Sequence, residues 1–173
     1  MLRRSRQCSL RLFALRGVLC GASRGAQHAI HTTMKALTIP GKPDSLSTIA
    51  AYVLDAAERA GLDRKAAYRL RLAVDEVATN IIFYGYEEAG IEGDITVSAD
   101  MDDHTLTITL EDLAQPFDPL QHAEPGDLDL PLEQRQIGGL GIYLAIKGVD
   151  KFTYERHGGR NRNVFLVYRP AGV

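Results

Sequence analysis

Cysteine is nearly absent from this chain of 173 residues, and both copies, Cys8 and Cys20, lie within the first 33 positions. Residues 34–173 therefore have no disulfide and no thiolate metal site, which fits a reducing compartment. Acidic residues are absent from the same first 33 positions, although these carry six arginines. The remainder holds 14 basic against 22 acidic side chains, a balance of −8. A domain of that charge is a poor non-specific binder of nucleic acid, so we expect no direct nucleic-acid partner.

Long hydrophobic runs are absent as well. The longest apolar stretch, residues 10–22, is broken by Arg11 and Arg16 and is too short to span a bilayer, so we expect no membrane partner. An Arg-rich, acid-free leader resembles an organellar transit peptide. The alternative, which we favour, is that Met34 is the true start, because a strand-like segment begins abruptly there. In either case we exclude residues 1–33 from the fold, expect them to be disordered, and assign 34–173 to one domain.

The hydrophobic pattern of this domain predicts an α+β fold. A strand over 34–39 precedes two helices, of which the first ends at Gly61 and the second is capped by Asp63 and runs to about Tyr86. Two alternating strands with a short link predict an antiparallel hairpin with one buried face. A short helix ending at Lys147 and two further strands follow. The later strands are predicted over 95–99, 105–110, 150–156 and 161–169, and the first helix is predicted to be capped by Asp44 or Ser45.

The second helix carries the first candidate site. Its apolar residues recur at helical spacing, and Glu76 and Asn80 lie four residues apart at the border of that apolar face. Mg²⁺ keeps most of its waters when phosphates are present, so one amide oxygen from the protein can be enough to hold it. A nearby carboxylate can then orient a water or accept a hydroxyl proton. The alternative for this pair alone is a solvated polar pair on a helix surface.

Two further features follow the predicted hairpin. Asp112 ends an apolar strand, where its carboxylate can accept a hydrogen bond from an exocyclic amine such as that of adenine, or cap a proline turn. From 113 to 137 there are four prolines and little periodicity, and a loop this long is usually functional, often a lid. Arg135 lies in this lid, where it could neutralise charge on a γ-phosphate or remain a solvated loop arginine.

A glycine cluster precedes the short helix, with Gly138, Gly139 and Gly141 around Leu140. Glycine lets backbone N–H groups approach an anion, and a helix N-terminus favours negative charge. The spacing is neither that of a Walker loop nor that of a dinucleotide fingerprint. The alternative is a tight turn into the helix.

A Glu-x-x-x-Asn helix, an Asp after a β-hairpin, a proline-rich lid and a glycine loop entering a helix follow one another here. Together they resemble the ATP site of the GHKL superfamily, which has the Bergerat fold and includes DNA gyrase, histidine kinases and mismatch-repair ATPases. The chain most resembles the stand-alone anti-sigma-factor serine/threonine kinases of bacterial partner-switching systems. The resemblance covers essentially all of 34–173 and none of the leader, and it rests on LAVDEVATN (72–80), PFDP (116–119), IGGLGI (137–142), FTYER (152–156) and GRN (159–161).

This resemblance implies a two-layer α+β sandwich in which helices cover one face of a mixed, mostly antiparallel sheet. It also implies ATP and Mg²⁺ as cofactors. Asn80 is then the metal ligand, Glu76 the general base or water orienter, and Asp112 the group that binds the adenine amine. Arg135 is the second predicted catalytic residue. Further nucleotide contacts are predicted for Ala114, Gly138, Gly139, Leu140 and Gly141.

The implied activity is phosphoryl transfer from ATP to a serine or threonine of an anti-sigma-factor antagonist protein, in the cytoplasm. A sigma factor is a further implied partner, and family members often form homodimers, although the sequence shows no interface. Two positions depart from the family pattern: Ala114 replaces the glycine of the usual Asp-x-Gly, and Tyr84 stands where a histidine is common. Neither change removes a group with a direct chemical role.

Two other functions remain open. The domain could bind nucleotide, or none, and sequester a sigma factor or regulator without phosphorylating it, which the presence of Ala114 leaves open. A histidine-kinase catalytic domain is disfavoured, because nothing upstream resembles a dimerisation helix pair with a phospho-acceptor histidine, and His28 and His31 lie in the leader. An ATP titration followed by a labelled-phosphate transfer assay separates a kinase from a binding module, and acid-labile phosphate would indicate a histidine kinase.

Overall fold

The computed structural model describes residues 31–122 and 140–170, in which six strands form one sheet. They are β1 (Thr32–Thr33), β2 (Leu37–Pro40), β3 (Asp94–Met101), β4 (Thr105–Asp112), β5 (Lys151–His157) and β6 (Arg160–Tyr168). The α-helices are α1 (Leu46–Arg59), α2 (Arg64–Asn80) and α3 (Leu140–Lys147). Shorter segments are 3₁₀ turns at Pro43–Ser45 and Pro119–His122 and a π-helix at Ile81–Glu87, which continues α2.

The strands lie in the order β1-β3-β4-β6-β5, and β2 pairs with β3 beside β1. Every pair formed in the described part of the chain is antiparallel. Helix α1 packs on β3 and β4, and α2 packs on α1 and β6. The predicted α+β fold, with helices covering a mostly antiparallel sheet, is confirmed, and the strands described here include no parallel pair.

The core lies between the sheet and the two long helices. Alternate residues of β4 point inward, so Leu106, Ile108 and Leu110 are fully buried in the same cluster as Val53 of α1 and Val74 of α2. Burial of such a side chain stabilises the fold by roughly 1.5–3 kcal/mol. A shift of one residue along β4 would expose all three side chains, so the alternation fixes the register of the hairpin.

Local sequence sets the ends of the long helices. Asp63 begins α2 by accepting a hydrogen bond from the N–H of Ala66 at 2.7 Å, and Gly61 ends α1 with φ +72°, as predicted. Ser45 occupies the N-cap position of α1, one of the two predicted, but the expected side-chain cap does not form. The 3₁₀ turn Pro43–Ser45 leads into α1 instead, and the Ser45 side chain makes no capping bond. Among the described residues, no helix is both long enough and apolar enough to cross a membrane.

The edge of the sheet begins earlier than predicted. Thr32–Thr33 already pairs with β3, so the assignment of residues 1–33 to a disordered leader is wrong for these two residues. The predicted strand over 34–39 is interrupted, and pairing resumes only at Leu37. Thr33 pairs with Asp100, and Leu37 pairs with Val97. The edge segment therefore has one residue more between these two pairs than β3 has. That pattern is a β-bulge, which bends an edge strand and ends its regular pairing.

The β5–β6 hairpin brings the end of the chain back to β4. Gly158 and Gly159 both have positive φ, +58° and +81°, which is the signature of a two-residue type I′ turn. The turn pairs His157 with Arg160, and this register places Arg156 opposite Asn161. Both strands agree with their predicted ranges to within one residue.

Candidate functional site

Helix α2 places Glu76 and Asn80 on successive turns. Both residues are half-buried, whereas Val77 and Ala78 are buried in the core. The predicted position of the pair, at the border of the apolar face, is therefore confirmed. Their chemical roles stay predictions.

The start of α3 lies against Glu76. A Cβ atom on Gly141 would overlap Oε2 of Glu76 and lie 3.0 Å from its Cδ. In this conformation of Glu76 only glycine fits at position 141, because a larger residue there would require the Glu76 side chain to shift. The structure thus brings together the candidate base and one member of the glycine cluster, which the sequence suggested separately.

Asp112 is the last residue of β4 and has 0% of its surface exposed. Its Oδ1 accepts hydrogen bonds from the N–H of Ala114 at 2.9 Å and from Nδ2 of Asn161 at 2.7 Å. Its Oδ2 is buried and has no hydrogen-bond partner among the described residues. A buried acceptor left without a donor is destabilising by roughly 1–3 kcal/mol, or more when it is charged. Asp112 therefore caps the turn that follows it through Oδ1, while Oδ2 remains an acceptor without a donor among the described residues.

The surroundings of Asp112 act on its pKa in opposite directions. Burial has the largest effect and raises the pKa above its ordinary value. Hydrogen bonds from Asn161 and from the Ala114 N–H lower it, as do the positive charges of Arg156 and Arg160. A ligand N–H donated to Oδ2 would also favour the ionised form.

Asn161 was not predicted as a site residue, although the tail that contains it resembles the family. It is 3% exposed, and its Nδ2 also donates to the carbonyl oxygen of Ala114 at 3.1 Å. Its Oδ1 accepts from Nη1 of Arg156 at 2.6 Å and from the hydroxyl of Tyr154 at 2.9 Å. The available signal was a break in the pattern, because Asn161 and Asn163 occupy inward positions of β6 that would otherwise be apolar.

Two neighbouring cross-strand rows contain these residues. We call them the inner row and the outer row, because successive residues of a strand point to opposite faces of the sheet. The inner row faces the helices and contains Ile95, Asp112, Asn161 and Arg156. The outer row is the adjacent row, one residue away on each strand, and contains Thr96, Glu111, Arg162 and Glu155.

The π-helix that continues α2 holds the segment after Asp112. Ala114 is 2% exposed and packs against Gly85, where an added Cβ would lie 2.7 Å from the Ala114 methyl group. The N–H of Gln115 donates to the carbonyl oxygen of Gly85 at 3.3 Å. The methyl group that departs from the family's glycine is therefore accommodated by a glycine in the helix.

Tyr86, also in the π-helix, is a second positioning contact that the sequence did not suggest. Its hydroxyl donates to the carbonyl oxygen of Asp94 at 2.9 Å and accepts from the N–H of Leu113 at 3.2 Å. The ring thereby ties the start of β3 to the residue that follows β4. Tyr84, the other departure from the family pattern, is 55% exposed.

Several predicted site residues are not part of this geometry. Arg135, Gly138 and Gly139 lie outside the described residues, and the predicted lid over 113–137 is described only as far as His122. Leu140 is the first residue of α3. The roles of these residues stay predictions.

The donors available to a metal ion are oxygen atoms. Within residues 31–122 and 140–170, no group of three His, Cys, Asp or Glu side chains is arranged to hold a metal ion. Mg²⁺ bound together with a nucleotide takes phosphate and water oxygens as most of its six ligands, and a single amide oxygen can complete the set. Asn80 offers such an oxygen one helical turn from the Glu76 carboxylate.

The geometry can be compared with known proteins. Residues 39–167 match the family described as the histidine kinase-like ATPase domain. The chain belongs to this family. The matched region contains Glu76, Asn80, Asp112 and Asn161, and membership confirms the resemblance drawn from the motifs and implies the use of ATP.

Three similar proteins are serine-protein kinases named RsbW. The protein from Halalkalibacterium halodurans is 27% identical over 126 residues, which cover 71% of this chain and 76% of the relative. The protein from Bacillus subtilis is 25% identical over 126 residues, with 71% and 78% covered. The protein from Bacillus cereus is 28% identical over 111 residues, with 62% and 68% covered. The similarity therefore extends over most of the domain and supports a protein kinase.

Proposed function

We propose that this protein is an ATP- and Mg²⁺-dependent serine/threonine kinase of a partner-switching system. The observation that carries the proposal is the buried Oδ2 of Asp112, which has no partner among the described residues, in a histidine kinase-like ATPase domain similar to serine-protein kinases. Such an acceptor fits the exocyclic amine of adenine. The candidate base Glu76 and the candidate metal ligand Asn80 lie on the helix whose continuation packs against Ala114, two residues after Asp112.

Different described residues would bind the adenine base, the metal ion and the phosphates. Asp112 would accept the adenine N–H, and Asn80 would hold Mg²⁺ through its amide oxygen. The ion, when bound, would neutralise charge on the phosphate oxygens. Gly141 would keep the start of α3 close to Glu76, where backbone N–H groups favour an anion.

Glu76 has the role of the general base. In the transfer, a serine or threonine hydroxyl oxygen forms a bond to the γ-phosphorus while the bond to the bridging oxygen of ADP breaks. The hydroxyl proton passes to the Glu76 carboxylate, which Gly141 leaves room to accommodate. Arg135 would neutralise charge on the transferred group.

The acceptor hydroxyl belongs, in this proposal, to an anti-sigma-factor antagonist protein. A sigma factor is the second partner, and a homodimer in the cytoplasm is the assembly expected from the resemblance. The similarity to serine-protein kinases supports a protein substrate.

A labelled-phosphate transfer assay with a candidate antagonist tests the function. Asn80→Ala should abolish Mg²⁺-dependent transfer while leaving the fold intact. Glu76→Gln should slow transfer by about 10²- to 10⁴-fold, the range that general bases contribute, with ATP affinity nearly unchanged. The matched control is Glu58→Gln on the exposed surface of α1, which should transfer at the wild-type rate.

Two results would contradict the proposal. Wild-type transfer by Asn80→Ala would refute the metal assignment, and wild-type transfer by Glu76→Gln would refute the base assignment. ATP binding without transfer to any antagonist would instead indicate a module that sequesters a regulator.

A further inference from the structure

The carboxamide of Asn161 has only one orientation compatible with its neighbours. The two ends of an Asn side chain are nearly the same in shape but opposite in polarity, so its hydrogen-bond partners decide which end faces which way. On one side, Nη1 of Arg156 and the hydroxyl of Tyr154 are both donors, at 2.6 Å and 2.9 Å. A guanidinium can only donate, so Arg156 requires the oxygen of Asn161 on that side. The NH₂ group must then face Asp112 and the carbonyl oxygen of Ala114.

We propose that Arg156 and Asn161 are positioning residues that aim Oδ2 of Asp112 at the base of the bound nucleotide. The β5–β6 hairpin would thereby take part in the choice between adenine and guanine. This inference rests on the proposed function, because it assumes that the nucleotide base occupies the site of Asp112.

The hydrogen bonds to Oδ1 of Asp112 fix the orientation of Oδ2. Oδ1 of Asp112 holds two N–H donors, from Ala114 and from Asn161, and rotation of the carboxylate would break both bonds. Oδ2 is left as a pure acceptor in a buried position. A pure acceptor binds the amino group of adenine and repels the carbonyl oxygen that guanine presents at the equivalent position.

Arg156 controls this arrangement in two ways. Without its donor, Oδ1 of Asn161 keeps only the hydroxyl of Tyr154 of these two partners, so the carboxamide that binds Oδ1 of Asp112 is held less firmly. Without its charge, protonation of Asp112 would become easier, and a protonated Oδ2 donates instead of accepting.

The charged and titratable groups around Asp112 come from three elements. Arg156 of β5 and Arg160 of β6 both favour the ionised carboxylate. Tyr86 of the π-helix also interacts electrostatically with Asp112, and burial raises the pKa of its phenol, so it stays neutral near pH 7. Removal of Arg156 therefore leaves Arg160 as the cation among these groups, and the pKa of Asp112 rises.

The test compares two arginines of the same hairpin. Arg156→Met removes the donor and the charge from the inner row, and Arg162→Met makes the same change in the outer row. Calorimetric titration of each full-length protein with ATP and with GTP, at about pH 6 and about pH 8, gives the ATP:GTP preference. Thermal unfolding of each variant verifies that it is folded.

Arg156→Met should lower the ATP:GTP preference by about fivefold. The expected effect is this small because solvent reaches the guanidinium of Arg156, whereas a fully buried charge-assisted hydrogen bond would contribute more. The loss should be greater at the lower pH, because Asp112 is more easily protonated in this variant. Arg156→Lys, which can restore a donor and a charge, should recover most of the preference, and Arg162→Met should keep all of it.

The outcomes are distinct. A wild-type protein that binds neither nucleotide overturns the proposed function together with this inference. A wild-type protein that prefers ATP, with the same preference in Arg156→Met, overturns the inference alone. An equal loss of ATP and GTP affinity in Arg156→Met also overturns it, because a merely structural role would weaken both nucleotides alike.

Discussion

The inner and outer rows use the same kinds of residues one position apart. In each, an acid at the end of β4 faces a polar residue of β6, and an arginine takes part. In the inner row, Asp112 and Asn161 are 0% and 3% exposed and are joined by a bond of 2.7 Å. In the outer row, Arg162 pairs with Glu155 at 2.9 Å and with Glu111 at 3.5 Å, and all three side chains are at least one-third exposed.

The difference indicates which polar cluster is the better candidate for a ligand site. Ion pairs in solvent contribute roughly 0–1 kcal/mol and leave no unsatisfied atom when they break, because water replaces them. In the inner row, Asp112 and Asn161 are shielded from water, and Oδ2 of Asp112 has no donor among the described residues. Buried polar atoms are normally hydrogen-bonded, so this acceptor makes the inner row, and not the outer row, the candidate ligand site.

The largest expected effect follows from exchanging the free acceptor for a donor. Asp112→Asn keeps an oxygen for Ala114 and Asn161 but places an NH₂ group where Oδ2 lies. ATP affinity should fall by about a hundredfold, since a buried bond to a charged group is lost. Calorimetric titration measures this, and Glu111→Gln in the outer row should change the affinity less than about twofold. Equal affinities of Asp112→Asn and wild type would show that the inner row does not bind the base.

The next effect concerns stability. Asn161→Ala removes the bonds to Asp112 and Ala114 and leaves buried polar atoms unpaired, so the free energy of unfolding should fall by about 2–3 kcal/mol. Arg162→Ala in the outer row should lower it by less than about 1 kcal/mol. Urea unfolding of the two variants gives both values. A larger loss in Arg162→Ala would reverse the ranking of the rows.

A smaller effect is the pH dependence of stability. Burial raises the pKa of Asp112 above the ordinary 3.8, so between these values the folded protein keeps a proton that the unfolded chain has lost. The contribution of Asp112 to stability is therefore highest at low pH and decreases as pH rises through that window. The free energy of unfolding of Asp112→Asn, measured relative to wild type, should therefore increase as pH rises through this window and then level off.

Asp102 provides a control of opposite sign. Hydrogen bonds from the N–H groups of His104 and Thr105 lower its pKa. Its contribution to stability is present above the ordinary value and lost as pH falls through the lowered one. Urea unfolding of Asp102→Asn over the same pH series should thus show the reverse trend, and parallel trends for the two variants would contradict the assignment.

The smallest effect is the salt dependence of the outer row. Added salt screens solvent-exposed ion pairs, and at about 1 M the screening length is about 3 Å. The small destabilisation by Arg162→Met should therefore disappear at about 1 M NaCl, whereas the destabilisation by Asn161→Ala should persist. A destabilisation by Arg162→Met that survives high salt would indicate that packing, and not charge, holds the outer row.

The sequence alone predicted the positions of residues that depend on a single helix or strand. Helical periodicity alone places Glu76 and Asn80 on one face, and the alternation of β4 ends at Asp112. Both follow from local geometry, which residue spacing encodes directly. The hairpin ranges followed in the same way from alternation and turn residues.

Contacts between distant elements could not be read from spacing. The approach of Gly141 to Glu76 depends on how α3 docks on α2, and the contact of Ala114 with Gly85 depends on the π-helix. The role of Asn161 depends on the register between β4 and β6, which the sequence does not state. The start of the edge strand was missed at Thr32 because a bulge interrupts its alternation.

A crystal structure of the protein with Mg²⁺ and a non-hydrolysable ATP analogue tests the central claim most directly. The expected result is an adenine amino nitrogen within about 3.2 Å of Oδ2 of Asp112, with Oδ1 still bound to Ala114 and Asn161. An adenine ring located elsewhere, with Oδ2 of Asp112 bonded to a donor from the protein itself, would contradict the claim.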